Sequence, residues 1–235
     1  MSEAEEKEKP EPGALMDALT YPVRGSGRIL LVIGAVLAAV LGFVSGASVF
    51  GGISWVLGMA YFNAYYFNIV ETTVSGGDEP PDWPDVTDLL EEMILPLLRM
   101  IGVTLISLLP LIAIIALNHD RAHPWTSPLT WLGLAWAAFY FPMAILNVIV
   151  SNQLIEALPH EVLPRICRAM PSYLVVAGLL AAALLISGVV TKVLGQVPFV
   201  GDLLSAAGGL YFAMAQARLA GTFYRKHLEE TEEEP

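Results

Sequence analysis

Charged residues and cysteine are scarce in this sequence. Only 15% of its 235 residues are charged and 55% are hydrophobic, whereas about a quarter of the residues in a soluble domain are charged. Three long segments contain no Asp, Glu, Lys or Arg at all: Ile29–Val70, Pro124–Ile155 and Ala169–Thr191. Because about 20 apolar residues cross a bilayer core, these segments exclude an ordinary soluble protein. The single cysteine, Cys167, excludes an internal disulfide.

The sequence signatures of common enzymes are also missing. The chain contains no Walker loop, no H-E-x-x-H zinc motif and no G-x-S-x-G nucleophile elbow. His119 and His123 have a helical zinc spacing, but Pro124 follows directly and no third ligand is evident beyond Asp120. We therefore predict no metal, no cofactor and no enzymatic activity. No basic stripe with interleaved aromatic residues indicates nucleic-acid binding.

What is present is a set of apolar segments that predicts an all-α, polytopic transmembrane bundle over residues 21–226. Gly51-Gly52 allows the chain to turn back, and Ser75–Pro81 ends the second helix. The N-terminus lacks the features of a cleavable signal peptide, so the first helix is expected to direct membrane insertion. We predict about six spans, which cover Ile29–Phe50, Ile53–Thr73, Leu95–Leu117, Leu129–Val150, Tyr173–Val190 and Phe199–Ala220.

The distribution of charge predicts the orientation of these spans. With six spans, ten of the 12 Lys and Arg residues fall on the side of the two chain ends, and only Arg121 and Lys192 fall on the other side. By the positive-inside rule, both ends lie in the cytoplasm and the protein lies in the cell membrane. The acidic ends, residues 1–20 and 227–235, are predicted to be disordered tails.

A Tyr-Phe pair occurs near the middle of the second, fourth and sixth predicted helices. The pairs are Tyr61-Phe62, Tyr140-Phe141 and Tyr211-Phe212, and small residues precede each of them. All three helices run in the same direction across the membrane in the six-span layout. We interpret this pattern as three copies of a helical hairpin, since internal repeats are common in membrane proteins.

Two amphipathic stretches follow the first two hairpins on the cytoplasmic side. Apolar residues at helical spacing run from Val86 to Leu97, with Asp85 as the predicted N-cap, and from Val162 to Met170. Such stretches form short helices in the membrane interface, or they extend the spanning helix that follows. The acidic first stretch suits contact with a protein, whereas the basic second stretch suits anionic headgroups.

Two segments carry a resemblance to a known family. The first is Gly77-Asp78-Glu79-Pro80-Pro81-Asp82-Trp83-Pro84-Asp85, and the second is Leu210–Gly221 followed by Tyr224-Arg225. They resemble an acidic "P-x-W-x-D"-like loop and a closing "Y-x-x-x-x-A-R-x-x-G" helix in uncharacterised prokaryotic polytopic membrane proteins that are classified as a domain of unknown function. The resemblance covers most of residues 17–226. It implies a membrane protein from a prokaryote and brings no activity, ligand or catalytic residue.

The predicted spans contain few polar groups that could carry a function. Ionisable residues such as Glu71, Lys192 and Arg218 lie near predicted helix ends, where long side chains reach the interface. Polar and aromatic residues within the spans are expected to form hydrogen bonds between helices or, alternatively, to line a polar path. They are Tyr61, Asn63, Asn68, Tyr140, Asn147, Tyr211 and Gln216.

We therefore predict a non-enzymatic membrane scaffold or accessory subunit. It would present the acidic loop Asp78–Glu92 to a cytoplasmic protein or to a second copy of the chain, in addition to contacting the lipid bilayer. The predicted partner-binding residues are Asp78, Glu79, Asp82, Trp83 and Asp85. The alternative is a small-molecule permease or channel component that uses the polar residues within the spans.

Overall fold

The computed structural model describes residues 12–47, 51–85, 87–117, 124–198 and 200–229. These residues form helices, turns and loops, and no strand occurs among them. The predicted all-α class is therefore confirmed. The α-helices are α1 (Pro12–Thr20), α2 (Gly27–Ala47), α3 (Gly51–Val74), α4 (Leu95–Leu117), α5 (Pro128–Ser151), α6 (Pro159–Arg168), α7 (Met170–Leu194) and α8 (Gly201–Tyr224).

Each of the six predicted spans corresponds to one of the long helices, α2, α3, α4, α5, α7 and α8. Among the described residues, four segments are both long and apolar enough to cross a membrane, and they indicate a membrane protein. These segments are Gly27–Val44, Leu90–Leu117, Pro128–Ser151 and Met170–Leu194. The helices α3 and α8 are equally long but less hydropathic, because they carry Asn, Gln and charged residues.

The first predicted tail requires a correction, because part of it is helical. Residues 12–20 form α1, which begins at Pro12, a residue whose fixed φ suits the first turn of a helix. Ala18 is buried and Asp17 bonds to Arg218, so packing and charge pairing order a segment that composition alone predicts to be disordered. At the other end, a π-helical turn extends α8 over Arg225–Glu229. Residues 1–11 and 230–235 lie outside the described part of the chain.

The contacts within the chain divide it into two compact units. The first unit contains the described parts of residues 1–97 and 171–235, and the second contains those of residues 98–170. The predicted transmembrane domain, residues 21–226, therefore comprises two units. The first unit holds α1, α2, α3, α8 and nearly all of α7, and the second holds most of α4 together with α5 and α6.

Small residues allow the helices of the first unit to pack closely. A Cβ atom added to Gly221 of α8 would lie 2.7 Å from Cβ of Thr73 and 3.1 Å from the carbonyl oxygen of Val70, both in α3. Glycine at such a crossing lets two backbones approach, as is common between membrane helices. The C-termini of α3 and α8 and the N-terminus of α2 lie together, and we call this region the polar end of the first unit.

The second unit is built around α5, which is more buried than the other apolar segments, with 11 of its 24 residues buried. After α5, a 3-10 turn at Leu154–Ala157 folds back against it, and the Tyr140 hydroxyl donates to the Ala157 carbonyl at 2.6 Å. The predicted second amphipathic stretch forms most of α6, which buries Val162 and Ile166 and pairs Arg165 with Glu156 at 2.7 Å.

The predicted first amphipathic stretch continues directly into a spanning helix. Asp88, rather than the predicted Asp85, caps this helix, because its Oδ1 accepts the backbone N–H of Glu91 at 3.2 Å. A π-helical turn over Leu90–Ile94 then leads into α4. The sequence allowed two arrangements, a separate interfacial helix or an extension of the following helix. The structure shows the extension, which leads into α4. Val86 lies outside the described residues.

Candidate functional site

The acidic loop leaves α3 through a glycine turn at the polar end of the first unit. Gly76 has a φ of +89°, a left-handed conformation that favours glycine. The N–H of Gly76 bonds to the carbonyl of Thr73 at 3.1 Å, and the N–H of Gly77 bonds to that of Thr72 at 2.8 Å. This pair of bonds is a Schellman motif, which satisfies the last carbonyls of the helix. The turn directs the following residues back along the helices.

Trp83 of this loop packs into the first unit instead of facing outwards. Its ring stacks on Tyr65 with a centroid distance of 4.1 Å and on Tyr61 at 5.3 Å, and it meets Phe62 edge-on at 5.9 Å. We call Tyr61, Phe62, Tyr65 and Trp83 the aromatic cluster. Pairs of this geometry contribute about 0.5–1.5 kcal/mol each beyond the apolar area that they bury.

A glycine in α2 makes room for the Trp83 ring. A Cβ atom on Gly34 would lie 2.5 Å from Cζ2 of Trp83 and 2.5 Å from Cδ2 of Leu210 in α8. Real Cβ contacts are longer than this, so any larger residue would have to displace one of the two side chains. The Trp83 ring is therefore held between α2, α3 and α8.

A buried arginine provides the second anchor of the loop. Arg218 of α8 is only 3% exposed. Its guanidinium donates to Oδ2 of Asp17 at 2.8 Å, to Oδ1 of Asp78 at 3.2 Å and to the backbone carbonyl of Gly77. It also lies 4.9 Å from the centre of the Tyr21 ring, within the range of a cation–π contact. One side chain therefore joins α8, the loop and the segment around α1.

The hydrogen bonds around Tyr21 extend this network. Its hydroxyl donates to the carbonyl of Glu79 at 3.2 Å, so a second loop carbonyl is fixed by the N-terminal segment. The Tyr211 hydroxyl donates to the carbonyl of Leu19 at 2.5 Å, which fastens α1 to α8. Burial raises the pKa of Tyr21 to about 12, so the hydroxyl remains neutral and can donate at physiological pH.

Asp17 is the carboxylate that two arginines share. It accepts from Arg24 at 2.5 Å as well as from Arg218 at 2.8 Å. Partial burial on its own would raise the pKa of Asp17, but the hydrogen bonds and charges of Arg218 and Arg24 outweigh it and hold the pKa below its ordinary value of 3.8. Asp17 is therefore ionised at neutral pH, and its charge compensates the buried Arg218.

The remaining carboxylates of the loop face outwards. Asp78, Glu79, Asp82 and Asp85 are exposed, as are Asp88, Glu91 and Glu92 in the stretch that follows. No Lys or Arg lies between Ser75 and Leu98 to neutralise them. Oδ1 of Asp85 accepts the backbone N–H of Thr87 at 2.9 Å, which lowers the pKa of that carboxyl. Apart from Asp78, which pairs with Arg218, the exposed carboxylates of the loop thus form a negative surface.

Four of the five predicted partner-binding residues are exposed. Asp78, Glu79, Asp82 and Asp85 are accessible, and Trp83 is used inside the molecule. Partner binding remains a prediction for the four carboxylates. For Trp83 the structure shows an anchoring contact.

The polar and aromatic residues predicted within the spans lie in both units. In the first unit Tyr61 belongs to the aromatic cluster, Tyr211 bonds to Leu19, and Asn68 and Gln216 are half-buried. In the second unit Tyr140 bonds to Ala157, and Nδ2 of Asn147 donates to the carbonyl of Glu156 at 3.3 Å. Nδ2 of Asn63 and Oδ1 of Asn147 are buried with no hydrogen-bond partner among the described residues.

A cavity of about 240 Å³ lies between α2, α3 and α8. Its walls are almost entirely apolar, and none of the seven polar and aromatic residues predicted within the spans lines it. The cavity therefore does not form the polar path that the permease alternative requires.

No metal site is found in the described parts of the chain, where no three His, Cys, Asp or Glu side chains are grouped to hold an ion. The histidine pair at His119 and His123 lies outside these residues. Comparison of the chain with models of protein families, with curated proteins and with solved structures found no match.

Sequence reasoning missed Arg218 and Asp17 as parts of the site. Arg218 was assigned to the interface near a helix end, and Asp17 to a disordered tail. One signal was available, because Arg218 is preceded by an apolar stretch in the sixth predicted span, and an arginine there needs a carboxylate partner. The sequence does not indicate which carboxylate this is.

We expect Asp17→Asn to destabilise the protein by about 1.5–3 kcal/mol, the usual contribution of a hydrogen bond to a charged group. The substitution removes the charge that faces the buried Arg218. Thermal unfolding in detergent at neutral pH measures the effect. Asp202→Asn, at an exposed position at the start of α8, is the control and should leave the unfolding temperature unchanged.

The ion pair of Asp17 and Arg218 also predicts that the stability of the protein depends on pH. Because the pKa of Asp17 is lower in the folded state, its contribution is complete above the unfolded pKa near 3.8 and is lost as the pH falls through the folded pKa. The difference in stability between wild type and Asp17→Asn should therefore shrink as the pH falls below about 3.8 and disappear once the pH is below the folded-state pKa. A difference that persists in strong acid would contradict the assignment.

We expect Gly34→Val to release the loop, because the new side chain occupies the space of the Trp83 ring. The measurement is the rate at which a protease that cleaves before aspartate cuts the bond between Gly77 and Asp78 in purified protein. Gly42→Val is the matched control, since a Cβ on Gly42 meets no atom within 4 Å. Equal cleavage rates in the two variants would show that Gly34 does not hold Trp83.

Proposed function

We propose that this chain is a six-span membrane scaffold that holds the loop Asp78–Glu92 in a fixed conformation for a basic cytoplasmic protein. One observation carries the proposal. The loop is anchored at two points, Trp83 and Arg218, while the carboxylates that follow Asp78 are exposed. A surface that is ordered before binding loses less conformational entropy when a partner binds.

The lengths of α3 and α8 support six spans. Each has 24 residues, and at 1.5 Å per residue it extends about 36 Å, which exceeds the bilayer core of about 30 Å. Their lower hydropathy has a physical reason, since both carry many buried residues and expose less surface to lipid. Four spans alone would leave these two helices, with their apolar middles, in water.

Three contacts of the repeated tyrosines support the arrangement in three hairpins. Tyr61 stacks on Trp83, Tyr140 donates to Ala157, and Tyr211 donates to Leu19. In the six-span layout each of the segments that these tyrosines contact lies on the cytoplasmic side. Each repeat therefore uses its tyrosine in the same way, to fasten a cytoplasmic segment to the bundle.

The charge of the loop favours a basic protein as the partner. Anionic headgroups repel the six exposed carboxylates that follow Asp78, and a second copy of the chain would present the same negative loop. A basic protein segment would gain from complementary charge, which raises the association rate and selects the partner. The permease alternative lacks comparable support, since the described cavity is apolar. The resemblance to prokaryotic polytopic proteins is consistent with a cell-membrane location.

The number of spans is tested by labelling single cysteines in intact cells with a membrane-impermeant maleimide, in a Cys167→Ser background. With six spans, Gln196→Cys lies outside and should label, whereas Asp82→Cys should label only after the cells are made permeable. If α3 and α8 did not cross, the loop and the segment after α7 would exchange sides. The labelling pattern would then be the reverse.

The partner proposal is tested by photo-crosslinking from Thr87, an exposed position within the loop, in living cells. We expect discrete products that disappear when Asp82, Asp85 and Asp88 are all replaced by Asn, because the negative surface is lost while the amide can still cap the helix. The variant with Asp202→Asn and Glu161→Gln is the control and should retain the products. Products that persist in the triple variant would contradict the proposal.

A further inference from the structure

The apolar cavity of the first unit lies at mid-length of its helices. Ala38 from α2, Phe62 and Tyr65 from α3, and Leu210 and Met214 from α8 contribute to its walls. These positions lie about one-third to two-thirds of the way along their helices. In a six-span arrangement this depth corresponds to the hydrocarbon core, where water is absent and acyl chains are abundant.

Part of the aromatic cluster forms a wall of the cavity. Phe62, Tyr65 and Leu210 line the cavity and also contact Trp83 or share its pocket at Gly34. Gly34, which packs against the Trp83 ring, precedes the lining residue Ala38 by about one turn of α2. Trp83 therefore lies directly behind this wall of the cavity.

Two hydrogen-bond donors in the aromatic cluster have no acceptor. Nε1 of Trp83 and the hydroxyl of Tyr65 are buried with no hydrogen-bond partner among the described residues, and Tyr65 is only 1% exposed. Buried donors are almost always paired, and an unpaired one costs about 1–3 kcal/mol. An acceptor at the cluster would remove this cost.

We propose that the cavity binds one acyl chain of a bilayer phospholipid, whose ester group lies at Trp83 and Tyr65. The hydrocarbon fills the apolar space, and an ester carbonyl provides the acceptor that the two donors lack. The inference uses the six-span arrangement but is independent of any protein partner.

The test uses a protein in which Trp83 is the only tryptophan, with Trp55, Trp125, Trp131 and Trp136 replaced by Phe. It is reconstituted in phosphatidylcholine with or without bromine on the acyl chains, since bromine quenches tryptophan emission on contact. We expect quenching of Trp83 comparable to that of a protein that retains only Trp131, which is 58% exposed on α5.

A variant that fills the cavity provides the decisive comparison. Ala213→Phe places a ring among the lining residues, so the acyl chain is excluded and quenching of Trp83 should fall to the level seen without bromine. Ala182→Phe, on an exposed face of α7, is the matched control and should leave the quenching unchanged. Ala213→Phe is also introduced into the protein that retains only Trp131. If brominated phospholipid still quenches Trp131 there, the variant is folded and inserted in the bilayer.

Three results would overturn the proposal. The first is that brominated phospholipid fails to quench Trp83 although it quenches Trp131, which means that the cavity is empty. The second is that Ala213→Phe leaves the quenching intact, which means that bromine reaches Trp83 by another route. The third is that only brominated free fatty acid quenches Trp83, which identifies a different occupant. The cysteine-labelling pattern shows independently whether α3 and α8 cross the membrane. A wrong number of spans can therefore be distinguished from an empty cavity.

Discussion

The buried guanidinium of Arg218 is the constraint on which the polar end of the first unit depends. An ion of this size costs several kcal/mol to remove from water unless charges and hydrogen bonds compensate it. Here the compensation comes from distant parts of the chain, namely Asp17 in α1, and Gly77 and Asp78 in the loop. Since none of these groups satisfies the arginine alone, α1, the loop and α8 must come together.

The loop is consequently an ordered surface. Arg218 fixes its beginning, and the packing of Trp83 against Tyr61, Phe62 and Tyr65 fixes its middle. The two anchors differ in kind, one ionic and one aromatic, so acid that protonates Asp17 weakens the first and leaves the second. Between and after these anchors the carboxylates remain exposed, and their relative positions are set before any partner arrives.

The apolar runs and glycine breaks of the sequence predict the long helices because hydropathy and helix breaking are local properties. The end of α3 illustrates this, since Ser75–Pro81 indicates a break and the structure places the Schellman turn at Gly76. The contacts of Arg218 were beyond prediction, because Asp17 is 201 residues away and Asp78 is 140 residues away in sequence. Composition also predicted disorder for residues 12–20, because it does not reveal that Asp17 has a buried partner. The inward packing of Trp83 was also beyond prediction, because the loop sequence does not indicate which way its side chain faces.

The central claim is that Arg218 couples α1 and the loop to α8, and hydrogen exchange tests it most directly. The backbone amides of residues 12–20 and 75–84 are compared between wild type and Arg218→Met in lipid nanodiscs, with Arg168→Met at an exposed position of α6 as the control. We expect both segments to exchange slowly in wild type and in the control, and to become fast together in Arg218→Met. Exchange that stays slow in either segment of Arg218→Met would contradict the coupling.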